Sequence, residues 1–259
     1  MNIKLQSYYL SICTCFLGLL IFFTYTFIPL NQFLPAGVSG NPTIEMAGWM
    51  IGLISGAICL ILYTVIGLLA LLLARQLGLP GIYRPDSGWK ISFFRPLVIG
   101  LGMGVGLIII DRIFPLDPAV RAVDFHPPFP LSILASLSAG IGEEIIFRGL
   151  MVCLWAFLFN LALKRWKLTQ LALWIGNIFG AFSFGAAHFG SVMILMGVQS
   201  PAQLPISLIV YILLLNGILG LAAGKIMMKD GLIAAMGIHF WADILWHVIW
   251  PAVLALAIR

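Results

Sequence analysis

The sequence predicts an all-α, polytopic transmembrane bundle of seven spans, or eight if one of the longer spans is split. Three observations carry that prediction. Hydrophobic residues make up 62% of the chain and charged residues only 9%, with a mean hydropathy of +1.10, whereas a soluble domain is about a quarter charged and under half apolar. The apolar residues fall in continuous runs long enough to cross about 30 Å of hydrocarbon, which takes about 20 helical residues. The basic residues gather in alternate short loops between those runs. The runs are too long and too evenly apolar for the alternating strands of a barrel.

The first span, near 8–30, follows Lys4. It outlasts the core of a signal peptide, about 7–15 residues, and no convincing small-residue cleavage site follows, so it reads as an uncleaved helix. The second lies near 47–74 and is followed by Arg75, Arg84, Lys90 and Arg95. The third, near 94–113, carries Gly100, Gly102, Gly104 and Gly106 in the run GLGMGVG. Small residues at that spacing leave faces for close helix packing. A nucleotide loop is excluded, because the run lies mid-span with no strand before it.

The fourth span, near 130–160, and the seventh, near 231–257, are long and invite a tilt, a kink or a split. Lys164, Arg165 and Lys167 follow the fourth span. The fifth and sixth fall near 171–196 and 204–224, with Lys225 and Lys229 after the sixth. The remaining loops hold only Arg112 and Arg121, offset by Asp111, Asp117 and Asp124, with Arg259 at the end. The excess of basic residues on one side places the N-terminus in the cytoplasm and the C-terminus outside, in a plasma membrane expected to be bacterial or archaeal. Trp89, Trp166 and Trp174 beside the basic loops suit an interfacial belt.

The net charge of +5 is thus a consequence of topology and predicts no nucleic-acid partner; the bilayer is the partner that composition implies. Cys13, Cys15, Cys59 and Cys153 all lie in apolar runs without paired metal-ligand spacing and read as small hydrophobes. There is no repeat, linker or low-complexity stretch, so 1–259 is one membrane domain. Oligomeric state is not written in the sequence.

An ionisable side chain inside a span costs several kcal/mol unless paired or hydrated, which makes three short runs stand out. AGIGEEIIFRGL on the fourth span holds Glu143, Glu144 and Arg148. Glu144 and Arg148, four apart, share a helical face and can pair, while Glu143, about 100° away, is left free. FSFGAAHFG on the fifth carries His188 one turn after Phe184. GIHFWADILWH on the seventh places His239 and Asp243 one turn apart, with His247 a turn further on, beside Trp246 and Trp250, where it reads as interfacial and without a role.

Each run alone is also what a structural polar contact between helices would look like. Taken together, Glu143, His188, His239 and Asp243 are the parts needed to activate a water and to stabilise an oxyanion. A carboxylate accepts the water's proton, an imidazole holds the water or a metal, and a second imidazole meets charge developing on a carbonyl oxygen.

The three runs resemble the motifs of the CPBP family, which comprises CAAX proteases and bacteriocin-processing or immunity proteins and includes the Rce1-type prenyl-protein endopeptidases. Its motifs are Glu-Glu-x-x-x-Arg, Phe-x-x-x-His and His-x-x-x-Asn or His-x-x-x-Asp, each on its own span. Glu143-Glu144 with Arg148, Phe184 with His188, and His239 with Asp243 follow that order. The resemblance covers about residues 130–250. It implies scaffold helices in 1–129 and a catalytic helical core in 130–257.

By that resemblance Glu143 is the general base, His188 binds and polarises the attacking water, His239 and Asp243 form the oxyanion-side pair, Glu144 and Arg148 form a structural ion pair, and Phe184 meets the substrate. The family's members are described both as metalloproteases and as metal-independent glutamate proteases. A divalent metal such as zinc, held by Glu143, His188 and His239, therefore stays open. Asp243 departs from the Asn of other members. An Asn amide can donate to an oxyanion and an ionised Asp only accepts, so Asp243 is protonated, orients His239 or helps to hold a cation.

The expected activity is intramembrane endopeptidase action on a membrane-associated or prenylated protein or peptide. A proton- or ion-coupled transporter would also bury such residues, but no inverted repeat or matched pair of broken helices accompanies them. A non-catalytic immunity or scaffold protein is the third reading.

Overall fold

The computed structural model describes residues 1–28, 47–85 and 88–257. Among these, seven helices are long and apolar enough to cross a membrane: Ile3–Phe27, Gly48–Gln76, Lys90–Ile113, Leu131–Trp166, Thr169–Met196, Ile206–Asp230 and Leu232–Leu256. No described residue lies in a strand. The expected all-α polytopic bundle is what forms, with the spans in the predicted order. Residues 29–30 of the expected first span, and Arg259, lie outside the described residues.

The helices reach further into their basic ends than hydropathy predicts. Lys90 and Arg95 lie in the opening turns of the third span, Lys164 and Arg165 in the last turn of the fourth, and Lys225 and Lys229 inside the sixth. Long basic side chains keep their stems on apolar surface while the charge reaches out, so a helix need not stop where the first Lys appears.

Neither long span is split, and the count stays at seven. Both contain wide π-helical turns instead, at Glu144–Val152 in the fourth and Ile244–Ile249 in the seventh. The latter precedes Pro251, as a similar turn at Lys90–Phe94 precedes Pro96. Proline lacks an N–H and crowds the carbonyl four residues back, and widening the turn relieves both problems. The Glu144–Val152 turn has no proline to explain it, and wide turns of that kind recur at functional sites. The break falls in the fifth span, where His188 separates Thr169–Ala187 from Phe189–Met196.

Small residues set the closest approaches. The first two spans pack along each other through Gly18 and Gly56. The third span lies on the seventh through Gly100 and Gly104. A Cβ on Gly100 would stand 2.6 Å from the carbonyl oxygen of Ile238, and one on Gly104 would stand 2.8 Å from the Leu245 side chain. Gly102 and Gly106 face open space, so only one glycine face of the run is used.

The start of the seventh span is pinned from a distance. It follows the sixth after one residue, Gly231, whose φ of 95° suits glycine. The first N–H groups of a helix lack intrahelical partners. Here those of Leu232 and Ile233 donate to the carbonyls of Gly81 and Ile82, at 3.0 and 2.9 Å. Gln6 of the first span holds that loop in turn. Its Oε1 accepts from the N–H groups of Ile82 and Tyr83 at 2.7 and 2.9 Å, and its Nε2 donates to the Tyr83 carbonyl at 2.7 Å. At the same end, buried Asp230 pairs with Arg95 at 2.6 Å and lies 3.9 Å from Arg84.

Candidate active site

The polar turns of the fourth, fifth and seventh spans meet inside the bundle. Glu144 and Arg148 are fully enclosed, at 0% exposure, and His239 is 2% exposed. Arg148 Nε lies 3.4 Å from Glu144 Oε1, which is the ion pair the spacing predicts. Glu144 has a second and closer partner. His239 Nδ1 lies 2.8 Å from the same Oε1. A carboxylate oxygen accepts, so the imidazole donates from Nδ1 and turns Nε2 toward the other acids.

Those acids are Asp243 and Glu143. Asp243 Oδ2 lies 3.5 Å from His239 Nε2, one turn along the same helix. Glu143 Oε2 lies 3.8 Å from Nε2, beyond direct hydrogen-bond reach. That oxygen is buried without a hydrogen-bond partner, while the Glu143 side chain as a whole keeps 33% of its surface exposed. Glu143 thus has one buried, uncommitted oxygen on a side chain that is otherwise partly exposed.

His188 takes its position from the break in the fifth span. Its N–H bonds to the Gly185 carbonyl, one residue short of helical register. The Phe184 carbonyl accepts from His188 Nδ1 at 2.9 Å. A carbonyl only accepts, so Nδ1 carries a proton and Nε2 keeps its lone pair. His188 is half-buried and lies within electrostatic reach of Asp243. No direct bond joins it to Glu143 among the contacts of the described residues.

Phe184 corrects an expectation. Expected to meet substrate, it is 1% exposed, with the Arg148 guanidinium 4.1 Å above its ring. The rings of His188 and His239 meet it edge-on at 5.0 and 5.3 Å, and that of Phe147 lies at 5.4 Å. Its faces are used up, and it acts as a platform that spaces the cation and both imidazoles. Cation–π contact of this kind is strongest where the cation is desolvated, which suits an Arg148 whose three nitrogens find no hydrogen bond.

Two features were missed by sequence reasoning. Glu144 orients His239 as well as pairing with Arg148; the signal was its neighbouring position, but nothing along the chain says which helix faces it. His247, read as interfacial, pairs with His126 of the loop before the fourth span, with the two Nδ1 atoms 3.1 Å apart. Two lone histidines in different segments give no spacing signal.

The site lies deep. Arg148 approaches Gly220, which is about 15 Å along the sixth helix from Asp230 and about 21 Å from Ile206. His239 is only about 10 Å from the start of its own span. The two depths agree because the fourth span runs past that start. Gly149 lies against Leu232, and about 25 Å of helix continues from Gly149 to Trp166.

The donor set does not form a ready metal cage. Among the described residues no three His, Cys, Asp or Glu side chains are gathered so as to hold a metal ion. His239 Nδ1 and His188 Nδ1 are both committed to oxygen acceptors.

Residues 125–245 match the family of Rce1-like type II CAAX prenyl endopeptidases. That stretch, 121 of the chain's 259 residues, is similar to the family's domain. The CAAX-endopeptidase domain takes in Glu143, Glu144, Arg148, Phe184, His188, His239 and Asp243, so the convergence of three helices falls within the matched stretch. His247 lies just beyond it. No curated protein matches the chain, and no solved structure does. The match makes residues 125–245 similar to the domain of CAAX-type membrane proteases.

Proposed function

We propose that the chain is an intramembrane endopeptidase in which Glu143 activates water for attack on a peptide bond of a membrane-associated or lipidated substrate. The observation that carries this reading is the uncommitted Glu143 Oε2, 3.8 Å from a His239 Nε2 whose ring is oriented from behind by Glu144. A water held between that oxygen and an imidazole Nε2 gives its proton to Glu143 as its oxygen bonds to the scissile carbonyl carbon. General-base help of this kind is worth about 10²–10⁴-fold. His188, with Nε2 free, is the imidazole that holds the water.

The carbonyl oxygen then carries the negative charge. With Nδ1–H given to Glu144, His239 reaches an oxyanion only through Nε2–H, as an imidazolium between Glu144 and Asp243. Asp243, an acceptor beside that nitrogen, keeps the ring turned to the site. This is the orienting role among the three that its replacement of Asn left open. Collapse of the intermediate breaks the C–N bond, and the proton on Glu143 passes to the leaving nitrogen. Glu143, His188, His239 and Asp243 thus carry the reaction, Glu144 and Arg148 support it, and no step calls for a metal.

In this reading the N-terminus is cytoplasmic, which the basic residues at alternate span ends support. The substrate class inside this reading is a peptide or lipidated protein that reaches the site from the bilayer.

The test is cleavage of a fluorogenic peptide library by purified protein in detergent, comparing wild type with Glu143→Ala and His188→Ala, with and without chelator. Cleavage that survives chelator and disappears in both variants is expected. Cleavage unchanged in the variants would sink the assignment. Loss on chelation with recovery on adding zinc would move the reading to a metalloprotease. Proton flux in liposomes without cleavage would favour the transporter.

A further inference from the structure

The contact between His126 and His247 has no part in the chemistry above. His126 lies in the loop between the third and fourth spans and His247 in the wide turn of the seventh. Their Nδ1 atoms face each other at 3.1 Å. At that distance one nitrogen donates and the other accepts, so the pair needs a proton on one Nδ1 and a lone pair on the other. With one ring charged, the neutral ring still accepts through Nδ1; with both rings charged, donor meets donor and two like charges touch.

The surroundings make the contact consequential. The Trp246 ring lies 5.1 Å from that of His126 and 6.3 Å from that of His247. The charged and titratable groups facing the pair are Asp124 on the same loop, Asp111 at the end of the third span, Asp243 and His239 on the seventh, and His188 at the break of the fifth. Asp124 is occupied by the His126 backbone N–H at 2.9 Å, and Asp111 by Arg121 and the Tyr211 hydroxyl at 3.0 and 2.7 Å. His247 follows His239 by two turns, about 12 Å along the axis, with Asp243 between them.

We propose that His126 and His247 form a pH-sensitive latch, in which a proton shared between the two Nδ1 atoms clamps the loop before the fourth span onto the seventh and protonation of both rings releases it. The latch faces the site's far end from Leu232, so its release loosens the half of the seventh span that follows Asp243.

Burial holds the His126 imidazole below the ordinary histidine range, against the smaller opposite pull of Asp124 and Asp111. A group whose pKa is depressed in the closed state stabilises that state fully above its free value, about 6.5. That stabilisation is lost as pH falls through the depressed value. The latch is therefore closed at neutral pH and opens in acid.

The experiment needs no substrate. Protonated imidazole quenches indole emission, so the fluorescence of Trp246, isolated as wild type minus Trp246→Phe, is followed from mildly alkaline to acid pH in detergent. Amide exchange of the 122–130 segment, corrected for its intrinsic pH dependence, is followed in parallel. Expected is one transition in both signals with its midpoint below about 6.5. His126→Gln, which keeps an amide donor toward His247 but cannot titrate, is expected to remove the transition and stay closed. No transition in wild type, or one unchanged in both His126→Gln and His247→Gln, would overturn the latch. Because neither signal involves cleavage, the latch and the protease reading can fail independently.

Discussion

Glu144 Oε1 receives the Nδ1–H of His239 at 2.8 Å while lying 3.4 Å from the Arg148 guanidinium. One carboxylate oxygen therefore both neutralises the arginine of its own helix and aims the imidazole of another. The acid beside it, Glu143, is left with a buried oxygen that nothing engages. The adjacent glutamates have divided the work by geometry.

That division predicts the effect of Glu144→Gln. The amide keeps the shape but carries no charge, so the imidazolium proposed for His239 loses the carboxylate that supports and orients it. Loss of a carboxylate that orients a catalytic imidazole costs about 10⁴-fold in a serine-protease triad. A fall of at least about 10²-fold in kcat with little change in KM is expected. Steady-state kinetics on any cleaved library peptide would check it, and a pure KM effect would contradict it.

Arg148→Met should unfold the protein more readily. It removes one partner of a fully buried pair and leaves Glu144 with only His239 to offset its charge, and breaking a buried pair typically costs about 3–5 kcal/mol. Adding Glu144→Gln should recover part of the loss, because the stranded charge goes with it. Thermal unfolding in one detergent, compared across the three variants, measures the coupling. Additive losses would mean that the two residues do not act as a pair.

The third span offers a controlled comparison. Gly100→Ala drives a Cβ into the Ile238 carbonyl and the Trp241 side chain, and overpacking of that kind costs about 1–3 kcal/mol. It also shifts the residue next to His239, so cleavage should fall with stability. Gly102→Ala, two residues away and facing open space, should change neither. Equal behaviour of the two variants would show that the helices do not pack on this face.

Topology can be read directly. If the basic ends face the cytoplasm, trypsin should reach the Lys164–Lys167 turn in inverted vesicles and not in right-side-out cells. A C-terminal reporter active only outside the cytoplasm should be active. The opposite pair of results would reverse the orientation.

Much of the fold was legible because the signals are local. Long apolar runs become helices whatever their neighbours do, and an acid or imidazole within such a run is costly enough to be noticed alone. The Glu144–Arg148 pair was readable from its spacing for the same reason. What stayed hidden depends on which faces meet. That Glu144 reaches His239, that Arg148 covers Phe184 and that His126 finds His247 follow from helix crossings such as the one where Gly140 of the fourth span meets Phe240 and Met236 of the seventh, and from a break at His188 with no proline to announce it. The span ends were blurred by Lys225 and Lys229, whose charges lie on helix and not after it.

The tie from Gln6 through Gly81, Ile82 and Tyr83 to the first turn of the seventh span separates the unit of ancestry from the unit of operation. The family match begins at residue 125, yet a side chain six residues from the start of the chain braces the helix that carries His239. A fragment cut at the family boundary would keep each proposed catalytic group and lose the brace. The smallest piece able to work is therefore larger than the piece that can be recognised, and harmful substitutions should be found at the N-terminal edge, far from any motif.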